Sequence, residues 1–369
     1  MAQITTKRAL PLAKRVLPLA SLLLGLAGFI PPTYPQQTDM YASTQAKGGG
    51  MPEMAMGQMG HGSRPDMAPP VDVMGGHNPM QGTWMLSYQG MRMDMGGNRR
   101  GTSRVSISDV LNDFMVAPRE MTMDMHMVGV MYGITDDFGV MAMVPYLRKK
   151  MSHVNRVGVD FTTKSEGVGD VQVSGSFRLR AGGGHGVRLS AGLSLPSGSI
   201  DEKDDTPSGA NQQLPYPMQL GSGTYDFLPG VTYTGRSDDY SWGGQLGATV
   251  RFGKNDNGYR WGNIYRLTLW AARRWTNWLS SSLRVGGETE ANIRGADPSL
   301  NPAMVPTADP NLRGGERIEL GLGINLLAPS GALKGHRLAI EFGLPVYQNL
   351  DGPQLERDWT ATIGWRKAF

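Results

Sequence analysis

The sequence has no cysteine among its 369 residues, which excludes disulfides and thiolate chemistry. This suits an exported protein, because a chain without thiols cannot form wrong disulfides in an oxidising compartment. No long amphipathic helix is indicated after residue 30. The apolar run from Val16 to Ile30 is too short to cross a bilayer as a helix. The sequence therefore excludes an enzyme that uses a cysteine thiol, and it favours a fold built from β-strands.

Four basic residues, Lys7, Arg8, Lys14 and Arg15, precede that apolar run, as in a secretory signal. We therefore interpret residues 1–30 as a cleaved signal peptide. The segment holds four of the 36 basic residues and none of the 32 acidic ones, so the mature chain is near neutral (36 − 4 = 32 against 32). A neutral chain gives no electrostatic support to a nucleic-acid partner.

Residues 31–80 are rich in Pro, Gly, Met and Gln and show little periodicity. Because such a segment buries too little apolar surface to fold alone, we predict a disordered periplasmic arm. The arm could bind a periplasmic partner.

Residues 81–369 alternate apolar and polar side chains in twelve stretches, which predicts strands with one dry and one wet face. The stretches lie at about 84–95, 121–134, 138–148, 169–180, 187–197, 223–234, 240–252, 262–273, 278–287, 317–327, 336–347 and 358–369. Their connections are alternately short and long. This is typical of an antiparallel, up-and-down transmembrane β-barrel with both termini in the periplasm. We therefore expect an all-β protein of the bacterial outer membrane, surrounded by lipid and lipopolysaccharide.

Pro229 lies inside the sixth stretch and removes a donor from the strand ladder, so we expect a bulge or a locally open seam there.

Two short glycine-containing motifs flank the long loop after the fifth stretch. They read Leu195-Pro-Ser-Gly-Ser199 and Gln219-Leu-Gly-Ser-Gly-Thr-Tyr-Asp226. These motifs resemble a bacterial outer-membrane family of transporters linked to the phenol meta-degradation pathway. The resemblance implies a membrane channel without catalytic residues. The Met- and His-rich stretch from Val73 to Met95 is similar in composition and layout to outer-membrane copper-resistance proteins, and that resemblance implies no individual ligand.

Of the 24 methionines, 21 lie between Met40 and Met151. In the first three stretches they share one parity, opposite the β-branched and aromatic residues that suit lipid, so we predict that they line the lumen. If the second turn centres on Asp136, Met131 lies directly opposite Met141. The candidate ligands on the strands are Met91, Met93, Met95, Met121, Met123, Met125, Met127, Met131, Met141 and Met143.

A thioether is a soft, uncharged ligand, so a methionine cluster favours Cu(I) or a similar soft ion over Zn or Ca. His61, His77 and His126 could add nitrogen ligands for the oxidised ion. No cofactor is required, and copper would be a bound or transported ion. A methionine lining could also form an adaptable apolar path for aromatic or fatty solutes, or serve packing alone.

Charged side chains are predicted on the inward face of the later stretches. They could form a ladder that selects anions, or salt bridges that hold a narrow barrel shut, and we favour the second reading. The residues are Arg178, Arg180, Arg188, Arg251, Arg284 and Arg337, with Glu319 and Glu341 as partners.

These patterns predict an outer-membrane channel or transporter component that handles copper or another soft ion. The alternatives are a channel for small hydrophobic or aromatic compounds, and a structural or adhesin-like barrel without transport. His153, His185 and His336 cannot be placed beside a nucleophile on one face at one depth. We therefore predict no enzymatic activity.

Overall fold

The computed structural model describes residues 64–67, 69–71, 73 and 79–369. The predicted signal peptide and most of the predicted arm lie outside these residues. The strands are β1 (Trp84–Gly101), β2 (Ser103–Val105), β3 (Val116–Gly133), β4 (Phe138–Asn155), β5 (Asp160–Val168), β6 (Gln172–Gly182), β7 (His185–Ser194), β8 (Lys203–Thr206), β9 (Gly209–Gln213), β10 (Asp226–Arg236), β11 (Tyr240–Arg251), β12 (Tyr259–Arg260), β13 (Ile264–Arg274), β14 (Leu279–Glu290), β15 (Arg294–Gly295), β16 (Gly315–Leu327) and β17 (Arg337–Ala368). Helix α1 spans Ile107–Asp113, and single 3-10 turns lie at Pro65–Met67, Tyr216–Met218, Pro306–Ala308 and Pro310–Leu312.

Antiparallel neighbours close the sheet into a barrel. The order is β17-β16-β14-β13-β11-β10-β7-β6-β4-β3-β1, and β17 also pairs with β1. Strand β17 is 32 residues long and makes the last two passes, pairing with β16 from Arg337 to Leu350 and with β1 as far as Ala368. Its two halves lie side by side, because Phe342 stacks on Trp359 with ring centroids 6.0 Å apart. The predicted all-β antiparallel barrel of about twelve passes is confirmed.

The outer surface of the barrel is apolar. In β16, Leu320, Leu322 and Ile324 are 38%, 66% and 51% exposed, whereas Glu319 and the glycines between them are buried. Exposed aromatic rings mark both rims of this surface, as in outer-membrane barrels. They are Trp84, Tyr240, Trp242, Trp275 and Trp278 at the rim with the short turns, and Tyr225, Phe252 and Tyr347 at the other rim. Within the described residues, no helix has the length and apolarity needed to span a membrane.

The first three barrel strands are longer than predicted. β1 runs to Gly101 and β3 starts at Val116, so much of the predicted loop 96–120 is strand. The predicted loop 149–168 is instead a hairpin formed by the end of β4 and β5.

Charge on the outward positions explains this difference. Arg92 lies opposite Asp124, and Arg148 lies opposite Glu166 with 3.1 Å between Nε and Oε2. This part of the wall stands above the lipid, where an outward side chain meets water and does not need to be apolar. The alternation that predicts lipid-facing strands therefore ends before the strands do.

The two glycine-containing motifs meet at the extracellular end of the barrel. One carboxylate joins them, because Asp170 accepts from the backbone N–H of Gly198 at 3.0 Å and of Ser222 at 2.7 Å. A Cβ on Gly198 would lie 2.7 Å from the Cα of Gly221, so only glycine allows this approach. The motifs therefore anchor the long loop between β7 and β10.

Part of the predicted arm lies inside the barrel. We call residues 64–67, 69–71 and 73 the inner segment. Arg337 Nη2 donates to the Arg64 carbonyl at 3.0 Å, and Ser241 Oγ donates to the Asp66 carbonyl at 2.6 Å. Asp66 is 2% exposed and pairs with Arg64 at 2.7 Å. The prediction of disorder across residues 31–80 therefore fails for this segment, because the barrel wall supplies the partners that its backbone groups need.

Candidate functional site

The predicted methionines lie on the less exposed face of their strands. We call the inward methionines of β1, β3 and β4 the methionine wall. Met93, Met121 and Met127 are at most 9% exposed, while the alternate residues Tyr88 and Val128 are 38% and 58% exposed. The full wall comprises Met85, Met91, Met93, Met95, Met121, Met123, Met125, Met127, Met131, Met141, Met143 and Met151. This alternation of exposure agrees with the predicted facing, and the lining of the lumen by methionine stays a prediction.

Strand register arranges these thioethers in rows. Met131 lies directly opposite Met141, as predicted from the turn. Across β1 and β3, three further rows are paired in direct register: Met91 with Met125, Met93 with Met123, and Met95 with Met121. Residues paired in this way have Cβ atoms about 4.5–5.5 Å apart. At that spacing the flexible methionine side chains can turn their sulfur atoms toward one ion.

The histidines predicted as extra ligands do not join these rows. His126 lies on the outward face of β3, and its Nδ1 is 2.7 Å from the Tyr88 hydroxyl. Its assignment as a ligand beside the methionines is therefore wrong, because strand alternation sends it to the opposite face from Met125 and Met127. His61 and His77 lie outside the described residues. Among residues 64–67, 69–71, 73 and 79–369, no three His, Cys, Asp or Glu side chains form a metal-binding group.

The extracellular end of the wall carries a cluster that the sequence did not reveal. We call Met95, Met121, Met151 and Met218 the outer methionine cluster. Met121, Met151 and Met218 are 4%, 1% and 0% exposed and pack with Leu214 and Leu355, and Met95 packs against this group. Met151 and Met218 were missed because both lie in the long connections between the predicted strands. No periodic pattern marks residues that are buried by loop folding.

Lys149 holds the loop over this cluster. Its Nζ donates to the carbonyls of Pro217 at 2.9 Å and Gln219 at 2.5 Å. Burial lowers the pKa of Lys149 to about 8, although Glu202 and Asp170 favour its charged form. The ammonium thus supplies donors to carbonyls that the 3-10 turn leaves free.

His153 is a second buried polar group near the cluster. It is 3% exposed, and its ring stacks on Phe161 with centroids 4.9 Å apart. Burial lowers the pKa of His153 to about 4, so the imidazole is neutral at physiological pH. Its Nδ1 is buried without a hydrogen bond of ordinary distance and angle. Buried polar atoms usually find a partner, so this nitrogen requires an explanation.

A charged cluster crosses the middle of the lumen. Arg284 Nη2 lies 2.6 Å from Glu319 Oε1, and Arg284 Nε lies 2.6 Å from Glu341 Oε1. All three side chains are at most 10% exposed, and Arg357 reaches Glu319 at 3.5 Å. We call Arg284, Glu319 and Glu341 the lumen triad. It agrees with the interpretation in which salt bridges fill the lumen.

The other predicted arginines do not form a ladder. Arg178 pairs with Asp137 at 2.8 Å near a short turn, and Arg251 pairs with Asp226 at 2.8 Å near the long loops. Arg188 lies opposite Arg178 on the inward face. Arg178 and Arg251 therefore serve local ion pairs.

Arg180 does not face the lumen as predicted. A register shift between Arg178 and Arg180 pairs Arg180 with Val187, which lies on the outward face with Tyr233. The inward prediction is therefore wrong for this residue, because a bulge reverses the facing of every residue beyond it.

The barrel wall has a groove at the predicted seam. Strand β10 pairs with β7 through Pro229, but its pairing with β11 stops at Phe227 and resumes at Gly230. No register shift occurs, so the seam is an interruption and not a bulge. The groove beside it has a volume of about 690 Å³. We call it the wall groove, and its apolar lining includes Phe138, Phe177, Leu189, Ala191, Pro229, Val231, Leu246, Ala248 and Tyr265.

A family model matches residues 98–312, which is 215 of the 369 residues. Its description is "Putative MetA-pathway of phenol degradation". This agrees with the resemblance carried by the two glycine-containing motifs. The similarity to copper-resistance proteins stays a prediction. A search of curated proteins gave no match.

The fold is similar to solved outer-membrane barrels. An outer membrane channel from Pseudomonas putida F1 superposes with a TM-score of 0.59 at 13% identity, over 82% of this chain and 100% of that chain. The transport unit of the autotransporter AIDA-I from Escherichia coli has a TM-score of 0.42 at 11% identity, over 83% and 99% of the two chains. A Pseudomonas aeruginosa FadL homologue has a TM-score of 0.37 at 9% identity, over 78% and 89%. At these identities only the first likeness is informative, and it concerns the fold. Since more than half of the sequence matches the family model and the fold is a closed membrane barrel, the chain belongs to the outer-membrane β-barrel family described as "Putative MetA-pathway of phenol degradation".

Proposed function

We propose that this barrel is an outer-membrane channel for small apolar compounds, including aromatic ones such as the phenols of the family description. The observation that carries the proposal is the wall groove. It is an apolar cavity of about 690 Å³ located where the ladder between β10 and β11 is interrupted. Ligand sites for small molecules are commonly concave, apolar and of about 300–1,000 Å³.

The contents of the lumen support a route through the wall. The lumen triad crosses the middle of the barrel, and the inner segment occupies its periplasmic end. An apolar solute gains nothing from a path lined by buried ions, because it cannot replace their hydrogen bonds. The groove instead offers apolar side chains on the lipid side and leads to a seam without backbone pairs. Beyond the lumen triad, the flexible side chains of the methionine wall can adapt to solutes of different shape.

Filling the seam should block entry. Ala248 lies across the interruption from Pro229 and lines the groove. We expect Ala248→Phe to abolish most of the added uptake of N-phenyl-1-naphthylamine in Escherichia coli that expresses this protein. The measurement is the fluorescence rise of this apolar dye as it reaches the inner membrane.

Ala271→Phe is the matched control, because Ala271 is exposed on the outward face of β13 and does not line the groove. It should take up the dye as fast as the wild type does. Equal rates for Ala248→Phe and the wild type, with both barrels folded, would refute entry through the groove.

A second candidate permeant is a soft metal ion, and the paired rows of the methionine wall favour it. Met91 with Met125 and Met93 with Met123 offer successive thioether pairs along two neighbouring strands. A Cu(I) ion could exchange one sulfur at a time along these rows, because thioethers bind it without competing protons.

Replacing those four methionines with leucine should then slow Cu(I) entry into proteoliposomes that contain bicinchoninate, whose absorbance reports the ion. Leucine keeps the apolar lining, so passage of the naphthylamine dye should not change. The double variant Val128→Leu and Val130→Leu, on the opposite face of β3, is the control. Unchanged Cu(I) entry in the four-leucine variant would eliminate this candidate.

A further inference from the structure

We propose that the outer methionine cluster is a buried binding site for Cu(I), with Met121, Met151 and Met218 as thioether donors and His153 as a nitrogen donor. Met95 is available as a further thioether at the edge of the site. The proposal concerns binding at the extracellular end of the barrel, and it does not depend on which solute crosses the membrane.

Four separate parts of the chain deliver these thioethers to one place. Met95 is opposite Met121, and Met121 is opposite Met151, so β1, β3 and β4 present three sulfurs in one row. The 3-10 turn Tyr216–Met218 adds the fourth from a loop nearly 70 residues further along the chain. Leu214 and Leu355 belong to the same packed group, so leucine side chains can fill buried positions in this part of the barrel. Packing alone therefore does not require methionine at all four positions.

His153 is the independent observation that indicates a ligand. It lies on the same face of β4 as Met151, two residues further along, and both are almost completely buried. Its Nδ1 has no hydrogen bond of ordinary distance and angle, although the nearby Met151 backbone favours the protonated ring, and a buried polar atom without a full partner is unfavourable. Phe161 stacks on one face of the ring, so a partner of Nδ1 would have to approach in the plane of the ring. A metal ion held by the neighbouring sulfurs would satisfy that nitrogen.

The donor set and the local charge select the ion. Thioether and imidazole donors suit Cu(I), whereas Ca²⁺ and Mg²⁺ require oxygen ligands. In the described residues no carboxylate group converges with histidine into a metal-binding group. The Lys149 ammonium lies two residues from Met151 on the same strand and holds the carbonyls on either side of Met218. A monovalent ion is repelled by this charge only half as strongly as a divalent one.

The test is an anaerobic Cu(I) titration of the full-length protein in detergent, in competition with bicinchoninate. The triple variant Met121→Leu, Met151→Leu and Met218→Leu should bind one equivalent less than the wild type. Methionine and histidine residues elsewhere in the chain bind equally in both proteins, so the difference reports this site. His153→Phe preserves the stacking on Phe161. It should lower the affinity of this site for Cu(I) by about ten-fold or more.

The matched control replaces Met115 and Met304 with leucine, because neither residue belongs to the methionine wall or to the outer methionine cluster. It should keep the full stoichiometry. Gel mobility before and after boiling verifies that each variant is folded. A second readout uses wild-type protein with ¹³C-methyl methionine, in which Ag(I) should shift the methyl signals that the single leucine variants assign to the cluster. Equal stoichiometry in the triple variant and the wild type, or methyl signals that do not move, would overturn the site.

Discussion

Replacing Arg284 with leucine should lower the free energy of unfolding by roughly 3–5 kcal/mol, the range seen when one partner of a buried ion pair is removed. Arg284 contacts both Glu319 and Glu341 at 2.6 Å, and the three side chains are at most 10% exposed. Without the guanidinium, two carboxylates remain close together in a narrow lumen. The measurement is urea unfolding in detergent micelles, followed by tryptophan fluorescence.

Two further variants identify the cause of this loss. Arg119→Leu removes an arginine that is 52% exposed and lies 2.8 Å from Asp160, which is 66% exposed, so it should cost less than about 1 kcal/mol. Adding Glu319→Gln and Glu341→Gln to Arg284→Leu should restore much of the lost stability, because no buried charge is then left alone. If the single and triple variants are equally unstable, the lumen triad stabilises the barrel through packing and not through its charges.

Deletion of residues 64–73 should raise the single-channel conductance severalfold. The inner segment contacts the wall at Ser241 and Arg337, and Val71 approaches Gly364 on β17. In a barrel of this size, side chains and one chain segment together fill most of the cross-section. Its removal leaves a water-filled path from the periplasm to the lumen triad. Conductance of purified protein in planar bilayers measures the change.

A disulfide provides the companion test, since the native chain has no cysteine. A Cβ on Gly364 would lie 3.7 Å from the Val71 Cβ, which is within the usual range for a disulfide. The pair Val71→Cys and Gly364→Cys should therefore oxidise within one chain and keep the low conductance. If no crosslink forms, or if the deletion leaves conductance unchanged, the inner segment does not block the lumen.

The facing of the strands was predictable from the sequence, and the reason is geometric. A strand alternates its side chains with a period of two, so Met131 and Val130 must meet different surroundings. The turn around Asp136 then sets the register, and Met131 lies opposite Met141 as expected. Where a bulge intervenes, as between Arg178 and Arg180, the same rule assigns the wrong face. Nothing in the local sequence marks that bulge.

The outer methionine cluster and the inner segment were not predictable for a different reason. Met151 and Met218 are buried by a loop that folds back over the barrel, and that fold depends on Lys149 and on the junction at Asp170. Asp66 and Ser241 form a hydrogen bond although they lie 175 residues apart in the sequence. Contacts of this kind leave no periodic signal, because only one residue of each pair lies in a regular strand.

Composition and alternation thus establish an outer-membrane barrel with a methionine-lined face, because a closed barrel needs only that every strand separate lipid from lumen. The tertiary structure decided what fills that lumen and which side chains line the opening beside Pro229. The lumen triad joins β14, β16 and β17, and the wall groove depends on an interruption between β10 and β11. These features arise from contacts between side chains of different strands and from a break in one strand ladder. Closure brings together charges, sulfurs and gaps that no single strand specifies.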